Sequence, residues 1–193
     1  MENKDKTILH LCADCGSDSE PYRKAGYNVI LVGSKIGVEN FNPPKNVYGI
    51  IANPPCTMFS IARTTAKTPR DLRGGMRLVK ECLRIIWECQ YDLVGDQRTS
   101  NLKFWCLENP ATGFLKWFLG NPVFQYAQNE YDGDLTKRTA LWGMFNLPIR
   151  PIFAKPLPPG STIGGKNEKT KHDMHTRSLC PPQFAQAFFE ANQ

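Results

Sequence analysis

The sequence predicts an α/β fold, an open and mostly parallel sheet with helices packed against it. Three observations carry this expectation. Apolar runs of strand length recur at Thr7-Ile8-Leu9-His10-Leu11-Cys12, Asn28-Val29-Ile30-Leu31-Val32 and Val47-Tyr48-Gly49-Ile50-Ile51-Ala52. A polar, glycine-containing turn and a short helical stretch separate the first two, which is how a βαβ unit opens. A longer helical pattern follows the third run, with Met76, Val79, Leu83 and Ile86 on one face. At 193 residues the chain is one domain, or one domain with a small appendage.

The elements follow in order. After the first strand, residues 14–19 form a turn around Gly16. Pro21 suits a first helical position, and the short helix stops at Gly26. Pro43-Pro44 precede the third strand. The long helix spans 73–90 and a further strand spans 102–107. Residues 111–124 read as short helices and turns, punctuated by Gly113, Gly120 and Pro122. Thr139-Ala140-Leu141-Trp142-Gly143-Met144-Phe145 reads as another strand. Residues 148–177 hold Pro151, Pro156, Pro158, Pro159, Gly160, Gly164 and Gly165 and read as loop. A last helix spans 181–191, with Phe184, Ala187, Phe188 and Ala191 on one face.

Composition narrows the class. Hydrophobic content of 41% and charged content of 22% are those of a soluble globular chain. No apolar run reaches the roughly 20 residues a membrane-spanning helix needs. The polar N-terminus has no signal-peptide pattern, so the expected location is cytoplasmic. Seven cysteines, an odd number scattered over strands, helices and turns, read as reduced thiols. The net charge of +6 permits a polyanionic partner. Its distribution is more telling. Seven basic residues lie between Arg63 and Arg84, against Asp71 and Glu81, and six lie between Arg150 and Arg177, against Glu168 and Asp173.

Two segments point to chemistry. Asn53-Pro54-Pro55-Cys56-Thr57-Met58-Phe59-Ser60 puts a thiol just past a strand, on a turn stiffened by two prolines. Leu107-Glu108-Asn109-Pro110 puts a carboxyl group at the end of another strand. In open α/β sheets ligands lie at the carboxyl ends of the strands. A thiolate is strongly nucleophilic without a metal. Thiol and carboxyl together suit covalent attack on a ring that must be protonated.

These two motifs, in this order and about fifty residues apart, resemble those of the DNA cytosine-5 methyltransferases, in a compact form common in bacteriophage genomes. Asp71-Leu72-Arg73, Thr136-Lys137-Arg138-Thr139-Ala140-Leu141-Trp142 and residues 177–189 support the likeness, which runs from Leu9 to about Phe145 and resumes in the last helix. The resemblance implies a Rossmann-like class I methyltransferase fold with S-adenosylmethionine as donor and no metal. Cys56 would attack carbon 6 of a flipped-out cytosine. Glu108 would hold ring nitrogen 3 and the amino group. Arg138 would contact the ring carbonyl. Asp14, Cys15, Gly16, Ser17 and Asp18, with Asn53 and Pro54, would bind the donor. Residues 1–148 would be the catalytic core, 149–178 a short basic target-recognition insert, and 179–193 a helix returning to the core. DNA would be held through Ser60, Arg63, Lys67, Arg70, Arg73 and Lys137 and through Lys166, Lys169 and Lys171 of the insert. The partner is cytosine-containing duplex DNA, in a bacterial or phage-infected cell, with room for a homodimer.

The chain departs from the family in three places. Asp14 stands where the first glycine of the donor turn is expected. Lys35 lies near the usual position of the acid that holds the ribose, and Glu39 is the nearest acid. Only about fifteen residues join the second strand to the Pro-Pro-Cys strand, too few for the usual helix, strand and return. The fold is therefore expected to be reduced there, with the donor held weakly through Asp18 or Glu39, or replaced by a modified donor.

Other readings stay open at this point. One is a non-catalytic or decayed methyltransferase-fold nucleic-acid binder, another an RNA cytosine methyltransferase. A third is an amino-methyltransferase, which follows its two prolines with an aromatic residue where Cys56 stands. Cys12-x-x-Cys15 with His172-x-x-His175 is a weak zinc pattern.

Overall fold

The computed structural model describes residues 2–13, 15–63, 66–91, 93–94, 97–98, 100–159, 161 and 178–193. Its strands are β1 (Thr7–Leu11), β2 (Asn28–Val32), β3 (Val47–Ala52), β4 (Leu93–Val94), β5 (Gln97–Arg98), β6 (Phe104–Pro110), β7 (Phe124–Ala127) and β8 (Arg138–Met144). Its helices are α1 (Glu20–Lys24), α2 (Leu72–Gln90), α3 (Lys116–Leu119) and α4 (Pro182–Ala191). Six strands form one mixed sheet in the order β2-β1-β3-β6-β8-β7, and β4 and β5 pair separately. β2, β1, β3 and β6 are parallel, whereas β8 runs antiparallel to both β6 and β7. The protein is α/β, in a layout compatible with a Rossmann-like fold.

Side-chain alternation along the strands builds two cores. Leu9, Leu11, Ile50, Ala52 and Leu107 point to one face, where Val79, Cys82, Ile85 and Ile86 of α2 cover them. Ile8, Ile51, Phe104, Cys106 and Leu141 point to the other, under Tyr22 of α1 and Phe184 and Phe188 of α4. Strands buried on both faces read as continuous apolar runs, which is why β1 and β3 were visible in the sequence, whereas β2 carries such a run at the sheet edge with Leu31 exposed. α2 starts where Asp71 caps it, its carboxylate accepting from Gly74 N at 2.8 Å. α4 is fixed by Phe184, which stacks on Tyr126 at 3.9 Å between ring centroids.

The structure moves several expected boundaries. The strand expected at 102–107 runs from Phe104 to Pro110, because β8 pairs with it through Pro110↔Thr139. Glu108 and Asn109 therefore sit within a strand. β7 was not expected at all: four residues beside Gly120 and Pro122 carry little pattern, and pairing with β8 makes them a strand. In α4 Ala185, rather than Ala187, joins the fully buried residues. β2 is an edge strand, and residues 33–46 make turns and one 3-10 turn, Val38–Asn40, before β3. Residues 148–159 contain neither helix nor strand. All seven cysteines are free thiols. Among the described residues no helix is long and apolar enough to cross a membrane.

Gly143 lets β8 approach β6. It faces Cys106 with φ +146, and a Cβ there would lie 2.1 Å from Trp105 O. Gly26 also has positive φ (+84), but a Cβ there would meet nothing within 4 Å. Gly143→Ala is expected to lower unfolding stability by about 3 kcal/mol or more, through strain and a backbone clash. Gly26→Ala, strained alone, is expected to cost about 1 kcal/mol. Urea denaturation of both variants checks this, and equal losses would refute the close-approach argument.

Candidate active site

Parallel pairing sets the site. β3 and β6 are adjacent and in register through Ala52↔Leu107, so the Pro-Pro-Cys segment and Glu108 emerge side by side at the carboxyl edge of the sheet. Asn53 N donates to Leu11 O at 3.0 Å, continuing the β1·β3 ladder one residue past the strand. Asn109 is fully buried, and its Nδ2 donates to Pro54 O at 3.0 Å. Pro54 and Pro55 have no N–H to offer, so a side chain from the neighbouring strand secures this turn.

Cys56 is half-buried at the head of a tight turn, its carbonyl accepting from Phe59 N at 2.9 Å and Ser60 N at 2.8 Å. Phe59 is fully buried, and its carbonyl accepts from Phe114 N at 2.9 Å. Arg70 locks the next residues by donating from Nη1 to Met58 O at 2.6 Å and Ser60 O at 3.0 Å, while its guanidinium lies 4.7 Å from the Phe114 ring centre. The expected phosphate contact of Arg70 thus meets a side chain whose donors already hold the loop. Arg63 donates to Thr68 Oγ1 at 2.7 Å, and Lys67 and Arg73 are exposed. Ser60 Oγ accepts from Ala62 N at 3.2 Å. Lys166, Lys169 and Lys171 lie outside the described residues. Within the same basic run Arg150 pairs with Glu130, and Lys155 with Asp134 at 2.9 Å.

Glu108 meets Lys137. Lys137 Nζ donates to Glu108 Oε1 at 3.4 Å, with the two side chains 11% and 17% exposed. Burial, the largest single influence, pulls the Lys137 ammonium toward the neutral form, but the combined attraction of Glu108, Cys56 and Asp18 outweighs it, and its pKa is raised. Lys137 therefore stays charged, facing both motif residues. Arg138, the residue expected to face the ring, is exposed instead. Arg138 opens β8 and Lys137 stands just before it in extended chain, where adjacent side chains point to opposite faces, and it is Lys137 that reaches Glu108. The register, not visible in the pair Lys137-Arg138, selects Lys137.

On the expected donor side, Asp14 lies outside the described residues and Cys15 is exposed. Gly16 has φ +72 and caps a 3-10 turn, Ser17–Ser19. Pro54 is buried. Ser17 Oγ donates to Asp18 Oδ2 at 3.2 Å and accepts from Cys180 N at 3.2 Å. Asn53 Nδ2 also donates to Asp18 Oδ2, at 3.1 Å. Glu39 turns away and pairs with Arg77 at 3.2 Å, and Lys35 is exposed. Cys12 lies against Cys82, sulfur to sulfur 3.7 Å, while His172 and His175 are outside the described residues.

His10 was missed as a site residue, although a histidine inside an apolar strand is itself a signal. It is 1% exposed, its Nδ1 bonds Ser19 Oγ at 2.9 Å, and its Nε2 lies 3.8 Å from Asp18 Oδ2 without a hydrogen-bond partner. Asn53 Oδ1 and Asn109 Oδ1 are likewise buried and unpartnered, so unsatisfied polar atoms gather at this edge of the sheet. No protein-family model matches the chain, and no curated protein sequence matches it.

Burial holds the His10 pKa below its usual 6.5, and Asp18 only partly opposes this. The unfolded chain takes up the proton first, so stability is complete above about pH 6.5 and declines as pH falls toward the folded-state value. His10→Gln is expected to show a shallower loss of urea midpoint between about pH 7 and pH 5 than the parent. Equal slopes would place the acid sensitivity elsewhere.

Proposed function

We propose that the protein is a DNA cytosine-5 methyltransferase-like enzyme in which Cys56 is the nucleophile. The supporting observation is the juxtaposition of the two motifs: β3 beside β6, Asn109 bridging to Pro54, and Lys137 facing both Glu108 and Cys56.

In this reading the Cys56 thiolate bonds to carbon 6 of a flipped-out cytosine, and the ring π electrons shift onto carbon 5. Glu108 holds nitrogen 3 and the amino group, stabilising the ring as it takes up charge. Lys137 favours the Cys56 thiolate by its charge and holds the Glu108 carboxylate in place. It also supplies the cation near the ring carbonyl, the role first assigned to Arg138. After carbon 5 is alkylated, its proton passes to solvent water, the electron pair left behind re-forms the 5,6 double bond, and the carbon 6–sulfur bond breaks to restore the Cys56 thiolate.

S-adenosylmethionine, when bound, supplies an electrophilic methyl group. Asp18 and the unpartnered Asn53 Oδ1 fit its charged amino-acid end. Among the described residues no equivalent fit to the ribose is found, since Glu39 is paired with Arg77. Weak donor binding follows. A non-catalytic nucleic-acid binder is the second reading, favoured by that same missing ribose contact.

Incubation with the donor and an oligonucleotide containing 5-fluorocytosine separates the two, because fluorine at carbon 5 blocks release. Intact mass is expected to show a methylated protein–DNA adduct with the parent and none with Cys56→Ser. Lys137→Met is expected to slow adduct formation about a hundredfold, the scale of losing a positioned charged group in catalysis. Absence of any adduct with the parent protein, alongside retained DNA binding, would favour the binder. An adduct formed only with RNA would move the substrate class.

A further inference from the structure

A groove of about 650 Å³ lies beside the Cys56 loop, lined by Leu72, Arg73, Met76, Arg77 and Lys80 of α2 and by Phe118 of α3. Arg73, Arg77 and Lys80 recur at helical spacing on a face that flanks the one burying Val79, Cys82 and Ile86, while Leu72 and Met76 stand at the border and pack against the core. Among the described residues Arg73 and Lys80 have no ion pair, and Arg77 shares only Glu39. Two acids also line the groove, and both are engaged: Asp71 caps α2, and Glu81 binds Arg84 at 2.7 Å.

The other wall is aromatic. Phe118 is 49% exposed and meets the Phe59 ring edge-on at 6.3 Å. Trp117, next in the chain and outside the groove lining, is 70% exposed at its rim and lies against Phe114 at 4.7 Å between ring centres. The groove also touches the nucleophile loop. A Cβ at Gly75 would come within 2.8 Å of Met58 Cβ, so α2 rests on that loop two residues past Cys56.

We propose that this groove binds unpaired DNA flanking the target base, with the α2 cations on phosphates and the exposed rings under bases. The inference rests on the nucleic-acid reading above and adds a strand state to it. Cations one helical turn apart, about 6 Å, suit successive phosphates of an extended strand. An aromatic platform is useful only to a base whose face is free, and a paired duplex presents none along its length. Such binding is tolerant of sequence, because every base has a π-face.

Fluorescence anisotropy with single-stranded oligonucleotides of two lengths tests it. One, of about three nucleotides, covers the Cys56 site alone, and the other, on the order of twelve, reaches along the groove. The parent is expected to bind the longer strand at least about tenfold more tightly than the shorter. It is also expected to prefer that strand to a duplex of equal length. In Trp117→Ala and in Lys80→Gln the length advantage is expected to shrink severalfold. Lys80→Gln is also expected to reduce the salt slope for the longer strand by about 0.7. Trp87→Ala, at the far end of α2, is the control and should keep the length advantage. If both lengths bind but neither variant changes their ratio, or the duplex binds as well as the single strand, the groove proposal fails while the nucleic-acid reading stands. If neither length nor the duplex binds, both fail.

Discussion

The parallel pairing of β3 with β6, closed at its end by the Asn109–Pro54 hydrogen bond, is the constraint on which the site depends. It places two short motifs, far apart in the chain, on neighbouring strands that end at the same edge. The bond is buried. Its loss would leave the Pro54 carbonyl without its side-chain donor, at a cost of about 1–3 kcal/mol if nothing replaced it. More important is direction: a turn with two prolines has few backbone donors of its own, so Asn109 decides where the Cys56 segment points. Arg70 then fixes the next residues through Met58 and Ser60. The Cys56 loop is held from three sides, by β6, by the Phe59 carbonyl bond to Phe114 and by Arg70.

Electrostatics at this edge favours preorganisation over stability. Lys137 and Glu108 are both taken largely out of water, and a pair like that recovers its desolvation cost only with good geometry. At 3.4 Å, beside a thiol the same ammonium attracts, the pair is better understood as holding charges ready than as strengthening the fold. The cluster of His10, Asp18 and Asn53 has a similar character. His10 is kept neutral by burial, with one ring nitrogen unpartnered near a carboxylate. Such imperfectly satisfied groups cost stability and concentrate at functional sites.

The two flanks of the edge contrast. Toward α2 and α3 the structure is well supplied: Phe59 anchors the loop, Gly75 admits close contact, and cations and the Phe118 ring line a groove. Toward β2 it is spare. That strand is the sheet edge, Glu39 is committed to Arg77, and among the described residues Asp18 is the acid at the expected donor turn.

The sequence by itself determined the strands buried on both faces, α2 and α4, because continuous apolar runs and helical periodicity are local properties. It also determined the two motifs, since Pro54-Pro55-Cys56 and Glu108-Asn109-Pro110 are readable as strings. The short connection between β2 and β3 was legible as a length. Tertiary structure alone decided what depends on register and partners. β7 exists because β8 pairs with it, and β6 runs on to Pro110 for the same reason. Lys137 rather than Arg138 meets Glu108 because a strand turns alternate residues to opposite faces, and no pattern in two adjacent cations says which face is which. Arg70 became a strut because Met58 and Ser60 carbonyls came within its reach. His10 joined the site because the turn at Ser17–Ser19 folds back over β1. In each case the deciding contact is between residues distant in the chain, and local pattern carries no information about which distant group will arrive.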